Sequence, residues 1–467
     1  MRKRLTAVVL VLVLANGALL GQAKPGGFAR QLSMGAAQID RVVVVNPFII
    51  LDPTWLLINP AYQMKYADYA WFNVAGGAIS NYAGENTYGN QFGGVGFSFG
   101  KDLAVGAVLG YDPSATNTLW APLNSFIARS ARPAQNPAAL LGTPRPIEVF
   151  EVLAAFGVGG MDVGVGVSYG WSNQNFKSTP APPATNSSDG ELSASMLAIR
   201  AGLSMDMGGG SSVEGAVALR LDKVTDKYTV GGTGNGTGTS GYSASTTEIE
   251  ANIRAALKMS SRFTLVPYGA MRMGSVEPKE DAKLQGQTAM TYSYKGSLFA
   301  FSLGLGGELK VKNFYLAGGL SFSSRSQKEE TNPNGTPPNN KTTTNTESFS
   351  AFPVFNLGAE YWVLDWFAAR AGYYRAFASA TQKTEVEGGA SGEQTRLTGM
   401  SSISLAGYVP SANDENGLMS VGIGLKFGGF ALDAMVSEQA LRRGLGLIGA
   451  GDNINTFGYL NLSYCFE

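Results

Sequence analysis

The residues with the most chemical potential in this chain are charges set into alternating apolar runs. Arg200, Asp206, Glu214, Arg220, Asp222, Glu248, Glu250, Arg254, Lys258, Glu308, Glu360, Arg370, Lys426 and Asp433 all stand on the face opposite the apolar set. Both signs are interspersed. That pattern fits two uses: a water-filled path for solutes, or an ion-pair lattice that holds something in place. Covalent chemistry is nearly excluded by composition. The chain has no histidine and one cysteine, Cys465, so Cys/His metal sites, intrachain disulfides and Ser–His or Cys–His nucleophiles are all absent. A hydrolase built on carboxylates alone is the one enzymatic reading left. We expect no enzyme and no cofactor.

The elements that position these charges have period two. In Leu418–Glu438, Met419, Val421, Ile423, Leu425 and Phe427 share a face. After the Gly428-Gly429 turn, Phe430, Leu432, Ala434 and Val436 share one, with Asp433 opposite. Such alternation marks a strand with one apolar face. The hairpin recurs, with tight turns at Lys101-Asp102, Gly159-Gly160, Gly208–Gly210, Ser260-Ser261, Lys312-Asn313, Asp365 and Gly428-Gly429. A leading strand from Tyr62 to about Val74 and a closing one over Asn455–Phe466 complete the set. Seven hairpins and two single strands make sixteen; fourteen is the alternative. Between hairpins run long polar segments, some of low complexity, such as Gly231–Gly241 and Thr331–Asn340. Short turns on one side, long loops on the other and an even count describe an outer-membrane-type barrel. The predicted fold is therefore all-β, a transmembrane antiparallel β-barrel.

Composition agrees. Charged residues make up only 15% of 467, against roughly 25% in a soluble protein. No apolar run beyond the N-terminus approaches the ~20 residues of a spanning helix. A barrel reconciles the two, with apolar side chains toward lipid and polar or small ones toward the lumen. Outward residues are expected at Val163, Val165, Val167 and Tyr169, at Phe299, Phe301, Leu303, Leu305 and Leu309, and at Leu460, Leu462, Tyr464 and Phe466. Tyr66, Trp71, Tyr361, Trp366 and Tyr374 are expected in an interfacial aromatic girdle. Formal net charge is zero, which implies no nucleic-acid partner; outer-membrane lipid is the expected surrounding. The glycines of Gly157–Gly166 alternate with outward valines and lack a following Gly-Lys-Ser/Thr, so no phosphate loop is read there.

The chain begins with Arg2, Lys3 and Arg4, an apolar Leu5–Leu20 and a small-residue site at Gly21-Gln22-Ala23. Residues 1–23 thus read as a signal peptide. Residues 24–61 are apolar yet broken by Pro47, Pro53 and Pro60. Such backbone cannot face lipid, because its polar groups would go unpaired. It is placed inside the lumen as a plug, the alternative being a loose periplasmic tail. Residues 62–467 form the barrel.

Two short stretches resemble a known family. Arg30, then Ser33-Met34-Gly35-Ala36-Ala37, then Asn59-Pro60-Ala61 before the first strand, resemble the N-terminal segment of the long-chain fatty acid transporter (FadL-like) superfamily and of the related PorV-like outer-membrane proteins. The C-terminal GLKFGGFALDAMVSE with its final strand resembles the PorV-like pattern. The resemblance implies a barrel of a Gram-negative outer membrane closed by an N-terminal hatch, with Met34, Gly35, Asn59, Pro60 and Ala61 at the gate. Its members either pass hydrophobic molecules inward or act as surface scaffolds. Two functions follow: a channel for small hydrophobic molecules, or a non-conducting barrel that meets a protein partner or surface polymer through its outer loops. Lumen charges such as Arg200, Arg220, Glu250, Arg254, Lys258 and Arg370 serve either. Trp120, Leu123, Phe126 and Ile127 lie in the one greasy outer loop, a candidate for capturing an apolar ligand or a loop packed on itself.

Overall fold

Alternation becomes strand throughout the chain. The computed structural model describes residues 26–35, 53–75, 92–110, 150–178, 188–231, 238–284, 292–333, 341–389, 391–400, 418–436 and 457–466. The strands are β1 (Tyr69–Ala75), β2 (Phe92–Ser98), β3 (Leu103–Leu109), β4 (Phe150–Val158), β5 (Met161–Ser178), β6 (Ser188–Gly208), β7 (Ser211–Val230), β8 (Gly238–Lys258), β9 (Phe263–Leu284), β10 (Tyr292–Val311), β11 (Phe314–Pro333), β12 (Thr343–Leu364), β13 (Phe367–Val386), β14 (Gly392–Met400), β15 (Leu418–Phe427), β16 (Phe430–Val436) and β17 (Phe457–Cys465). Each pairs antiparallel with its neighbours, and β1 pairs with both β2 and β17. The sheet therefore closes on itself, which leaves the ring no edge.

Sixteen strands make the ring, as the hairpin count predicts. The seventeenth, β14, is additional. It pairs with Ala376–Thr384 of β13, while β15 pairs with Phe367–Tyr374 of the same strand. The two pieces thus share one column of the wall. Strands β5–β13 also run farther than the alternation shows, to 18–22 residues. Their outer ends carry Ser, Thr, Lys and Glu on both faces, so no apolar stripe betrays them, yet the backbone ladder continues.

The outward face is apolar over a defined band. Val165 is 48% exposed, Leu303 57% and Phe299 48%, values no water-facing sheet sustains over many strands. Phe299, Phe301, Phe322 and Phe352 form a row of ring contacts at 6.0, 5.6 and 6.3 Å across β10–β12. Beyond it the wall turns polar at Ser326 and Lys328, both exposed. On the turn side Trp366 packs on Phe367 and Phe427 at 5.9 and 5.8 Å. Along β12 the belts lie about twelve residues apart, from Phe352 to Leu364, which at the ~40° tilt usual for such barrels is roughly 30 Å of height. That is a bilayer's hydrocarbon thickness. The barrel spans a membrane.

An outward charge in this band should be costly. Val165→Arg, near its middle, is expected to destabilise folding into vesicles by about 2–4 kcal/mol, read from urea titration of heat-modifiable mobility.

Three aromatic residues expected in the girdle point the other way. Tyr66, Trp71 and Tyr374 are inward and buried, at 6%, 4% and 0% exposure; Tyr361 and Trp366 are outward, as expected. Parity decides it: Trp71 shares its side with Tyr69 and Asn73, while Phe72 faces lipid. The first strand also starts later than Tyr62. Pro60 opens a 310 turn over Pro60–Met64, with the Asn59 side chain accepting from the Ala61 amide at 3.0 Å. Proline at the first position and a capping asparagine favour this turn over extension. A second 310 turn spans Pro53–Leu57, and helix α1 spans Phe28–Ser33.

Candidate functional site

These N-terminal pieces lie on the inward face and touch strands around the ring. On one side α1 meets β13, β15, β16 and β17. Arg30 donates through Nε and Nη2 to the two carboxylate oxygens of Glu360, both at 2.9 Å. Arg370 donates to the same carboxylate at 2.6 Å and pairs with Asp433 at 2.6 Å. Asp433 in turn accepts from the Gly26 amide at 2.8 Å. Arg30, Glu360, Arg370 and Asp433 are each no more than 3% exposed. The four charges sum to zero, which is what a dry site needs. Asn356 closes the contact by donating to the Gly35 carbonyl at 2.8 Å.

The second attachment uses the 310 turns. Asn59 donates to the Leu203 carbonyl at 3.0 Å. Arg254 lies over the Trp55 ring at 5.4 Å and pairs with Glu214 at 3.1 Å and Glu308 at 3.4 Å. Arg200 pairs with Glu151 and reaches the Leu56 carbonyl at 3.5 Å. Lys65 donates to Ser204 at 3.0 Å. Burial pushes the Lys65 ammonium below its ordinary range, against the pull of the Glu214 carboxylate. Between these contacts Trp55, Leu56, Tyr62, Tyr66, Trp71, Phe92 and Leu153 pack as one apolar cluster. Near the tight turns these described N-terminal residues therefore pack against inward-facing side chains of the wall.

Farther from the turns, inward charges pair with one another along the wall. Arg220 meets Asp222 at 2.9 Å, and Thr246 donates to Asp222 at 2.9 Å. Arg272 meets Glu248 at 2.5 Å and Glu250 at 3.3 Å. Arg325 meets Glu347 at 3.0 Å. Beside them Phe349, Ala351, Val354, Tyr374, Ala376 and Ala378 of β12 and β13 form a buried apolar cluster.

The expected residues thus divide. Met34, Gly35, Asn59, Pro60 and Ala61 are all buried against inward-facing wall residues. Arg200, Arg220, Arg254 and Arg370 are buried in ion pairs; Glu250 is half-buried beside Arg272. Lys258 has the inward parity but stands exposed at the turn-side rim, its amide accepted by the Ser211 hydroxyl. Trp120, Leu123, Phe126 and Ile127, and the leader, fall outside the described residues. Sequence reasoning missed Arg30 as a charge, Glu151, Arg272 and Arg325. The signal was available: Glu151 lies between Phe150 and Val152, and Arg272 between Met271 and Met273.

No protein-family model and no curated protein matches the chain. Among solved structures it is similar to a FadL homologue of Pseudomonas aeruginosa, at 13% identity over 96% of this chain and 99% of that one, with a TM-score of 0.41. It is likewise similar to the toluene transporter TodX of Pseudomonas putida, at 10% identity over 95% and 96%, with a TM-score of 0.34. A third, the ferric yersiniabactin uptake receptor FyuA of Yersinia pestis, gives 9% over 85% and 79%, with a TM-score of 0.34.

Proposed function

We propose that this chain is an outer-membrane channel for small hydrophobic molecules, with residues 24–61 as its hatch. The observation that carries the reading is that the described N-terminal residues meet the inward face of the closed ring through side-chain contacts, Arg30 to Glu360 and Asn356 to the Gly35 carbonyl, and not through the strand ladder. The hatch is attached by side chains to the wall on two sides, so it can shift without breaking the barrel's ladder.

Bilayer conductance and uptake of apolar solutes, measured on the full chain and on a variant lacking residues 24–61, test this. Removing the hatch should open a conducting pore, and cells carrying the full chain should take up apolar solutes above background. The second reading, a non-conducting scaffold, rests on the extent of the ion-pair lattice. It takes over if the deletion opens no pore and uptake stays at background.

A further inference from the structure

One arginine departs from those of the lumen, each of which meets a carboxylate. Arg375 faces outward. Its partner across the ladder on β12 is Phe355, and its neighbour on the same face of β13 is Phe377, both 40% exposed. Arg375 is half-buried and has no hydrogen bond or ion pair among the described residues. Its guanidinium lies over the Phe377 ring at 5.0 Å, and Phe377 meets Phe355 edge-on at 6.4 Å. Phe377 stands level with Phe352 of the outer belt, between the pairs Ala376–Val354 and Ala378–Ala351. Arg375 is rooted two residues nearer the tight turns, about 5 Å inside the apolar band. Its head leans back over Phe377, toward the headgroup level. On its other flank the wall changes strand. Tyr374 pairs with Leu418 of β15 and Ala376 with Met400 of β14, and Arg375 between them has no ladder partner there.

We propose that Arg375 binds a phosphate group of an outer-leaflet lipid, with Phe355 and Phe377 against the adjoining acyl chains. A cation rooted in hydrocarbon costs more than an apolar side chain of the same length would, so the charge is informative. Its place fixes the chemistry of the partner. The strand ends opposite the tight turns face the outer leaflet, and an anion that reaches this level of the wall is one carried by a lipid. A planar guanidinium offers two parallel donors to a phosphate, which an ammonium does not. The contact with Phe377 holds the head at the belt, where such a phosphate lies. The site is on the outside of the barrel and does not depend on what the lumen carries.

The test uses diphosphoryl lipid A and the same lipid stripped of both phosphates. Each is titrated against the full chain in neutral detergent, and bound lipid is counted by native mass spectrometry. Wild type should hold the phosphorylated lipid about ten-fold tighter, the worth of one charge-assisted hydrogen bond. Arg375→Met should bring it down to the level of the stripped lipid. Arg375→Lys, which keeps the charge and loses the paired donors, should fall between. Lys328→Met is the matched control. Lys328 is also outward, but it lies beyond the belt and is engaged by Glu330 at 2.5 Å, so its loss should change affinity by less than about two-fold. Inorganic phosphate in large excess should not displace the lipid. If wild type holds both lipids equally, or Arg375→Met holds the phosphorylated one as wild type does, Arg375 binds no lipid phosphate. If free phosphate displaces the lipid, the site takes the free anion and the lipid assignment fails. Heat-modifiable mobility checks that each variant is folded; should Arg375→Met not fold, the two lipids on wild type and on Arg375→Lys still decide.

Discussion

Replacing Glu360 with alanine is expected to release the α1 end of the N-terminal segment while the barrel stays folded. Glu360 accepts from Arg30 at 2.9 Å and from Arg370 at 2.6 Å. Its loss leaves two buried guanidiniums against one carboxylate. Removing one partner of a buried pair costs about 3–5 kcal/mol, mostly through the charge left behind. Strand pairing does not depend on it, since β12 keeps its backbone ladders to β11 and β13. The cost therefore falls on α1. Hydrogen exchange at Gln31, Met34 and Gly35 should accelerate by two orders of magnitude or more, and bilayer recordings should show new conductance. Heat-modifiable mobility should be unchanged. The double variant Arg30→Met with Glu360→Leu removes one charge of each sign and leaves Arg370 with Asp433. It should recover most of the protection, because apolar replacement of a buried pair is often neutral. Equal loss in the single and double variants would show that the charge balance is irrelevant and only the contacts matter.

Gly372→Val should do the same by a steric route. A Cβ at Gly372 would stand within the backbone of Met34 and Gly35, and one at Gly358 would meet Met34. Gly35 itself has φ 78, a conformation glycine adopts freely and other residues rarely do. Backbone against backbone leaves no rotamer to rotate away, so the cost should reach or exceed the ~3 kcal/mol upper end for overpacking. The result expected is loss of amide protection at Met34 and Gly35 with a leaking lumen. Gly215→Ala is the matched control: its Cβ meets only the Asn252 carbonyl, at an ordinary 3.6 Å. If Gly372→Val and Gly215→Ala behave alike, the close approach at Gly372 has no energetic role.

The wall was legible in the sequence because one of its faces must be apolar. Each outward valine or phenylalanine forces its neighbour inward, so Arg200, Arg254 and Arg370 could be placed by parity alone. Tight turns gave the strand count for a similar reason: Gly159, Gly208 and Gly428 take positive φ, and glycine marks such positions. What parity cannot give is which inward residue meets which. Arg30 finds Glu360 across 330 positions, and no local pattern encodes that. The girdle assignment fails at Trp71 and Tyr374 because aromatic rings pack as well in buried clusters on the inward face as at a membrane interface. Tyr62 looked like strand because the Asn59-Pro60 turn leaves its alternation intact. Strand β14 was hidden in a polar segment whose Thr and Glu serve loop and sheet equally.

The column shared by β14 and β15 also makes the chain adaptable. Met400 and Leu418 sit opposite Ala376 and Tyr374, two positions apart on β13. Ring closure on this side runs through β13 and β15, so β14 adds nothing to circumference or strand tilt. An epitope or fluorophore cassette grafted at the turn between β13 and β14, beside Gly388, should be tolerated, offering a handle for tracking the protein on living cells.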